Sequence, residues 1–236
     1  MRDILDRVTQ TNRLTSPPLH DLSALQERTF DAVLFDLDGT LIDSTPSVVR
    51  SWLTWAAEQG VDPRLLEGNH GVPAAQIVAS VLAPEQVPPA LARIVAIEVA
   101  DVAGILVLPG AVEALQALSG SCAIVTSCTR ALAEARIAAT GLLAPTVVVT
   151  ADDVTTGKPD PAPYLLGAQR LGVDPARCLV VEDAPSGLLS GSLAGAATLA
   201  VTTTTPAEQL RADAVVANLA DVSFVVEPDG VRVVRR

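Results

Sequence analysis

This chain has few of the residues that build disulfide frameworks, zinc sites and nucleic-acid surfaces. Its 236 residues include three cysteines, Cys122, Cys128 and Cys178, and no Cys-x-x-Cys pair. An odd count without that spacing argues against a disulfide framework or a zinc site. Cys122 and Cys178 lie in apolar runs and are expected in the core. Positive charge is scarce: 16 Lys and Arg against 27 Asp and Glu, a net charge of −11, with a sequence pI near 4.5. That excludes the basic footprint on which nucleic-acid binding rests. The field of the whole molecule does not draw an anion inward either, so any anion site must be built locally from a metal, a lysine or backbone N–H groups. Long apolar runs are also missing. Pro, Gly or charge interrupts each one before the roughly 18 residues of a membrane span, and the first 22 residues lack the apolar centre of a signal peptide. The expectation is a soluble cytoplasmic protein, monomer or dimer, with no membrane or nucleic-acid partner.

What the chain does have is apolar mass, 49% of its residues, enough to bury a substantial core. Its length suits one large domain, or one domain with a small insert, at about 100–200 residues per domain. Strands are predicted at 32–36, 122–126, 146–150, 178–182, 197–201 and 214–217, with helices at 110–118, 130–139, 162–171 and 186–194. This alternation predicts an α/β fold, a doubly wound parallel sheet covered by helices on both faces. Residues 1–30 show little periodicity and are read as an N-terminal extension, with room for one short helix, outside the main core. No convincing strand occurs between Ser44 and Leu108. Pro46 suits a first helical turn with Ser44 or Thr45 as its cap, and further helical pieces lie at 73–82 and 89–103. The predicted organisation is an α/β core of 31–45 and 108–236, carrying an all-helical insert at 46–107. Trp52 and Trp55 are read as insert core rather than a ligand cage. Residues 222–236 read as a β-hairpin turning at Pro228-Asp229-Gly230.

Four motifs recur at or near predicted strand ends. Asp36-x-Asp38 follows the apolar run Ala32-Val33-Leu34-Phe35. Ile124-Val125-Thr126-Ser127 ends a strand in hydroxyl residues. Gly157-Lys158-Pro159-Asp160-Pro161 follows the third strand, and Val180-Val181-Glu182-Asp183 ends a strand in acids. Singly, each has an ordinary reading as a solvated turn, a helix cap or an exposed loop lysine. Together, on neighbouring parallel strands, they converge at the carboxyl edge of the sheet, where open α/β sheets bind ligands.

The combination of Asp-Leu-Asp-Gly-Thr (36–40), Gly-Lys-Pro-Asp-Pro (157–161) and Val-Glu-Asp-Ala-Pro-Ser-Gly (181–187) resembles the haloacid dehalogenase superfamily, whose members are mostly phosphohydrolases with a Rossmann-like core. The resemblance covers about 31–220. A helical insert directly after the first motif matches the subgroup with an α-helical cap. Residues 36–45, His70-Gly71 and 123–127 are similar to sugar- and polyol-phosphate phosphatases of the 2-deoxyglucose-6-phosphatase and glycerol-phosphatase type. The resemblance implies that Asp36 attacks phosphorus to form an aspartyl-phosphate. Asp38 then acts as general acid and afterwards as general base, and no Ser-His-Asp set is needed. It also implies Mg²⁺, held by the carboxylates of Asp36 and Asp183 and the backbone carbonyl of Asp38, with Glu182 ligating directly or through water. Lys158 and Ser127 would hold the transferring phosphoryl oxygens, with Thr126 the candidate if the strand end is off by one. His70, in the insert, would contact the substrate, a small-molecule phosphate ester. Val72 and Pro73 stand where resembling phosphatases often carry basic residues.

Two other readings use the same residues. A phosphosugar mutase needs basic cap groups to hold a bisphosphate, and the insert offers only Arg50, Arg64 and Arg93. A catalytically inactive binding protein is opposed by the chemically competent residues in all four motifs.

Overall fold

A computed structural model describes residue 19 and residues 21–66 and 72–236. In chain order the main elements are α1 (Ser23–Gln26), β1 (Ala32–Phe35), β2 (Ile42–Asp43), α2 (Thr45–Gln59), α3 (Ala74–Val81), α4 (Val87–Ala100), β3 (Leu106–Val107), α5 (Ala111–Ala117) and β4 (Cys122–Val125). There follow α6 (Arg130–Thr140), β5 (Val147–Val149), α7 (Ala162–Leu171), β6 (Cys178–Glu182), α8 (Pro185–Leu193), β7 (Ala197–Val201), β8 (Ala214–Val216), β9 (Val222–Glu227) and β10 (Gly230–Arg235).

Six strands form one parallel sheet in the order β5-β4-β1-β6-β7-β8. β1, β4 and β6 are buried along their whole length, as expected of strands covered on both faces and written as continuous apolar runs. Successive side chains point to opposite faces, and the two cores follow that alternation. Val33 and Phe35 join Ile124, Val181, Leu199, Leu132 and Phe224 on one side. Ala32 and Leu34 join Val125, Val180, Tyr164 and Ala168 on the other. The fold is therefore the doubly wound α/β sheet that the sequence predicts.

The hairpin of β9 and β10 pairs antiparallel and closes the first of these cores, with Phe35 and Phe224 packed edge to face at 5.7 Å. Residues 1–18 and 20 lie outside the described residues, but residues 21–31 do not behave as an extension. Leu22, Leu25 and Phe30 are buried in that same core, and Phe30 and Val231 exchange backbone hydrogen bonds of 2.8 and 2.6 Å. The correction has a simple cause. A single helical turn contributes one or two apolar residues, too few to register as a periodic pattern.

Helices α2, α3 and α4 have their own apolar cluster of Trp55, Ala56, Val78, Ala90, Ile94 and Ile97. Trp55 is fully buried and donates its indole N–H to the Ala90 carbonyl over 2.8 Å, so its polar edge is satisfied. Where the chain leaves the sheet and returns, β2 and β3 pair antiparallel, Ile42 opposite Val107 and Asp43 opposite Leu106. This short ladder is the strand pairing that the sequence reading of 44–108 does not contain. At the start of α2 Ser44 takes the N-cap position, but its side chain makes no cap hydrogen bond; the Asp43 carboxylate accepts the Thr45 N–H at 3.0 Å instead.

Candidate active site

Because β1, β4 and β6 are neighbours, their carboxyl ends bring Asp36, Thr126, Ser127, Glu182 and Asp183 to one place. Lys158 arrives from the loop between β5 and α7. These residues line a cavity of about 660 Å³ that lies between the sheet edge and the insert. Its far wall is largely apolar, with Val48, Val49, Trp52, Leu53 and Ile77 among its residues. Both tryptophans belong to the insert core, Trp55 within it and half-buried Trp52 packed against it, its ring 5.4 Å from that of Trp55; Trp52 also lines the cavity.

Lys158 is the only lysine in the chain, and it is buried. Its ammonium donates to Asp36 Oδ1 at 2.6 Å, Glu182 Oε1 at 2.7 Å and the Val125 carbonyl at 2.8 Å, which occupies all three of its protons. Burial alone would push this ammonium toward the neutral form, but the charges of Asp36 and Glu182 outweigh that and hold its pKa well above the usual lysine value. Tyr164 supports the arrangement by donating to Glu182 Oε1 at 3.0 Å. Glu182 Oε2 accepts the backbone N–H groups of Asp183 and Ala184, each at 3.1 Å.

One carboxylate oxygen from each of Asp36, Glu182 and Asp183 can be chosen so that the three lie within 4.8 Å of one another. Burial raises the Asp36 pKa well above its ordinary value, with Lys158 opposing. It also lifts the Asp183 pKa to about 7, reinforced by the charge of Glu182. Three buried acids against one ammonium leave an excess of negative charge, the condition that a hard divalent cation with oxygen ligands relieves. The donor set fits such a cation. Thr204 and Thr40 donate their hydroxyls to opposite oxygens of Asp183, the Thr40 contact at 3.5 Å, and so hold this acid at the cluster.

Two glycines make the cluster possible. Gly39 has φ +87°, and a Cβ there would stand 2.1 Å from Asp183 Oδ2. At Gly187, in the first turn of α8, a Cβ would stand 1.7 Å from Glu182 Oε1.

Asp38 points elsewhere. Its Oδ1 lies 2.8 Å from Arg136 Nη1 and its Oδ2 accepts from Cys128 Sγ at 3.0 Å. Of the four sequence-predicted metal residues, three bring their carboxylates together. The fourth, Asp38, is expected to ligate through its backbone carbonyl, not its carboxylate. Ser127 is exposed on the cavity, whereas buried Thr126 turns its hydroxyl to the Cys128 N–H at 3.1 Å. The following helix is capped by Thr129, which accepts from Leu132. His70 lies outside the described residues.

Thr40, Cys128, Arg136, Tyr164 and Thr204 were not singled out as site residues by the sequence. Thr204 had a signal: it follows β7 as Glu182-Asp183 end β6. Arg136 had one too, since it stands four residues after Leu132 and so shares its buried helix face.

The sequence model of the haloacid dehalogenase-like hydrolases matches residues 30–195. The chain is 42% identical over 205 residues to hexitol phosphatase A of Escherichia coli, covering 84% of this chain and 95% of that protein. It is 31% identical over 190 residues to glycerol-1-phosphate phosphohydrolase 2 of Saccharomyces cerevisiae, covering 74% and 75%. Among solved structures, a hydrolase from Pseudomonas syringae superposes with a TM-score of 0.71 at 26% identity, over 80% of this chain and 94% of that one.

Proposed function

The chain belongs to the haloacid dehalogenase-like hydrolases, and on that premise we propose that it is a phosphatase of a small phosphorylated sugar or polyol, working through an aspartyl-phosphate. The observation that carries this reading is the buried contact of Lys158 with Asp36 and Glu182 beside Asp183. It is an acid held against a fixed cation at the end of a central strand.

Asp36 attacks phosphorus, and the bond from phosphorus to the ester oxygen breaks. Asp38 gives its proton to the departing alkoxide. Water then attacks the phosphorus of the acyl phosphate, Asp38 takes the proton, and Asp36 and inorganic phosphate are released. The Ser127 hydroxyl holds the equatorial oxygens as charge spreads over them, and Lys158 turns one of its protons from Asp36 to them when the ester binds. Asp36, Asp183 and Glu182, with the Asp38 carbonyl, would hold Mg²⁺, which supplies the positive charge that lets an anionic nucleophile approach an anionic phosphate. The insert at 46–107 acts as the cap that selects the alcohol and excludes water during the first step. His70 is proposed to reach the substrate from it.

The mutase reading loses support from the insert. Arg50 pairs with Asp101, Arg64 with Asp62 and Arg93 with Glu58, so each of these arginines is tied to an acid of the insert itself. The test is phosphate release from a panel of sugar, polyol and nucleotide monophosphates, with and without Mg²⁺. Release of free phosphate from sugar or polyol esters only with the metal is expected. Isomer formation without release, or no release from any ester, would reject the reading.

A further inference from the structure

Arg136 has no place in the mechanism above, yet it is as deeply set as Lys158. It projects from α6, with only 4% of its side chain exposed. Its guanidinium lies 2.8 Å from Asp38 Oδ1 and 3.1 Å from Glu98 Oε1, and Nη1 also approaches Cys128 Sγ at 3.2 Å. Glu98 belongs to α4 of the insert and is itself buried. One planar cation therefore joins three separate parts of the molecule: the loop after β1, the helix after β4 and the insert.

A buried arginine stays charged and must be neutralised, which ties its two carboxylates into one unit. Asp38 Oδ2 accepts from Cys128, and its buried Oδ1, which has no hydrogen-bond partner among the described residues, faces the Arg136 guanidinium as an ion pair at 2.8 Å, so the direction of this carboxylate is set by α6 and the loop before it. Proton transfer to a leaving oxygen depends on that direction. A lysine could supply charge here but not the fork that reaches two carboxylates at once.

We propose that Arg136 is a positioning residue for proton transfer: it aims the Asp38 carboxylate and, through Glu98, makes that aim depend on α4 of the insert being seated against α6. This rests on Asp38 being the proton-transfer group. Arg136 touches Asp38, not the reacting atoms, and acts through it.

The test compares kcat/KM, which reports the steps up to alcohol departure, for an alkyl ester (glycerol phosphate) and an activated aryl ester (p-nitrophenyl phosphate) in Mg²⁺. The aryl oxygen leaves without a proton, so loss of the acid is selective for the alkyl ester. Asp38→Asn is the reference. Arg136→Met is expected to lower the alkyl value about 30–100-fold and the aryl value less than about fivefold, with Arg136→Lys recovering part of the loss. Glu98→Gln keeps the shape and guards against misfolding of the arginine variant; it is expected to give the same selectivity at about 3–10-fold. Equal losses on both esters in Arg136→Met, or no selectivity in Glu98→Gln, while Asp38→Asn discriminates, would overturn the proposal alone. An Asp38→Asn variant that does not discriminate would overturn the reading of Asp38 and the proposal with it.

Discussion

Lys158 donates to Asp36 over 2.6 Å across 122 residues of sequence, and both groups are buried. The contact needs the loop after β5 to fold back over the end of β1, and it gives the acid a fixed counter-charge facing the cavity. Lys158→Met should lower kcat about 10²–10³-fold, the size expected when one preorganised donor to a charged transition state is lost. Lys158→Arg should recover little, because a planar guanidinium cannot place protons on the same three acceptors. Steady-state kinetics on variants with unchanged circular dichroism provides the check.

Gly187 makes a second, purely steric prediction. A methyl group there would overlap Glu182 Oε1, the oxygen that Lys158 and Tyr164 both use. Gly187→Ala should cost about 1–3 kcal/mol of stability, as overpacking does, and should weaken Mg²⁺ activation. Urea unfolding and a metal titration of activity would measure the two effects. Wild-type values for both would mean that α8 does not press on Glu182.

The acid cluster predicts a pH dependence with a definite sign. Asp183 has a folded pKa raised from 3.8 to about 7, so the folded metal-free chain holds this proton more tightly than the unfolded one. Its contribution to stability is present in full below the unfolded value and is lost as pH rises toward about 7. Unfolding in a chelator at about pH 5 and about pH 7.5 should show wild type losing ground relative to Asp183→Asn as pH rises. Added Mg²⁺ should raise the wild-type melting temperature more at the higher pH, because the ligands must be ionised. A larger Mg²⁺ effect at the lower pH would contradict the charge account.

Residues 22–30 contribute to the structural core. Phe30 is fully buried and sits where β10 meets the sheet. Phe30→Ala should destabilise the protein by about 3–5 kcal/mol, read by urea unfolding. An effect below about 1 kcal/mol would return these residues to the status of a loose extension.

How much of this was legible in the sequence follows from the physics of each part. Parallel strands covered on both faces must be written as continuous apolar runs, so β1, β4 and β6 and the acids at their ends were readable. A hairpin with Asp-Gly in its turn was readable for the same kind of reason. Leu22, Leu25 and Phe30 were not, because a four-residue helix is too short for periodicity to declare a buried face. The Asp38–Arg136–Glu98 unit was harder still. Its members are 98, 38 and 60 residues apart in the chain, and an arginine in an alanine-rich helix reads by default as solvated. Only the docking of α4 on α6 makes it a partner for two carboxylates.

The central claim is that Asp36 carries the phosphoryl group, and the most direct measurement is chemical trapping of that acyl phosphate. Protein quenched during turnover with a sugar or polyol phosphate and Mg²⁺ is reduced with borohydride, digested and mapped by mass spectrometry. The account predicts conversion of Asp36 to homoserine, dependent on substrate and absent in Asp36→Asn. Phosphate release by an Asp36→Asn variant at the wild-type rate, with no reduced residue at position 36, would contradict it.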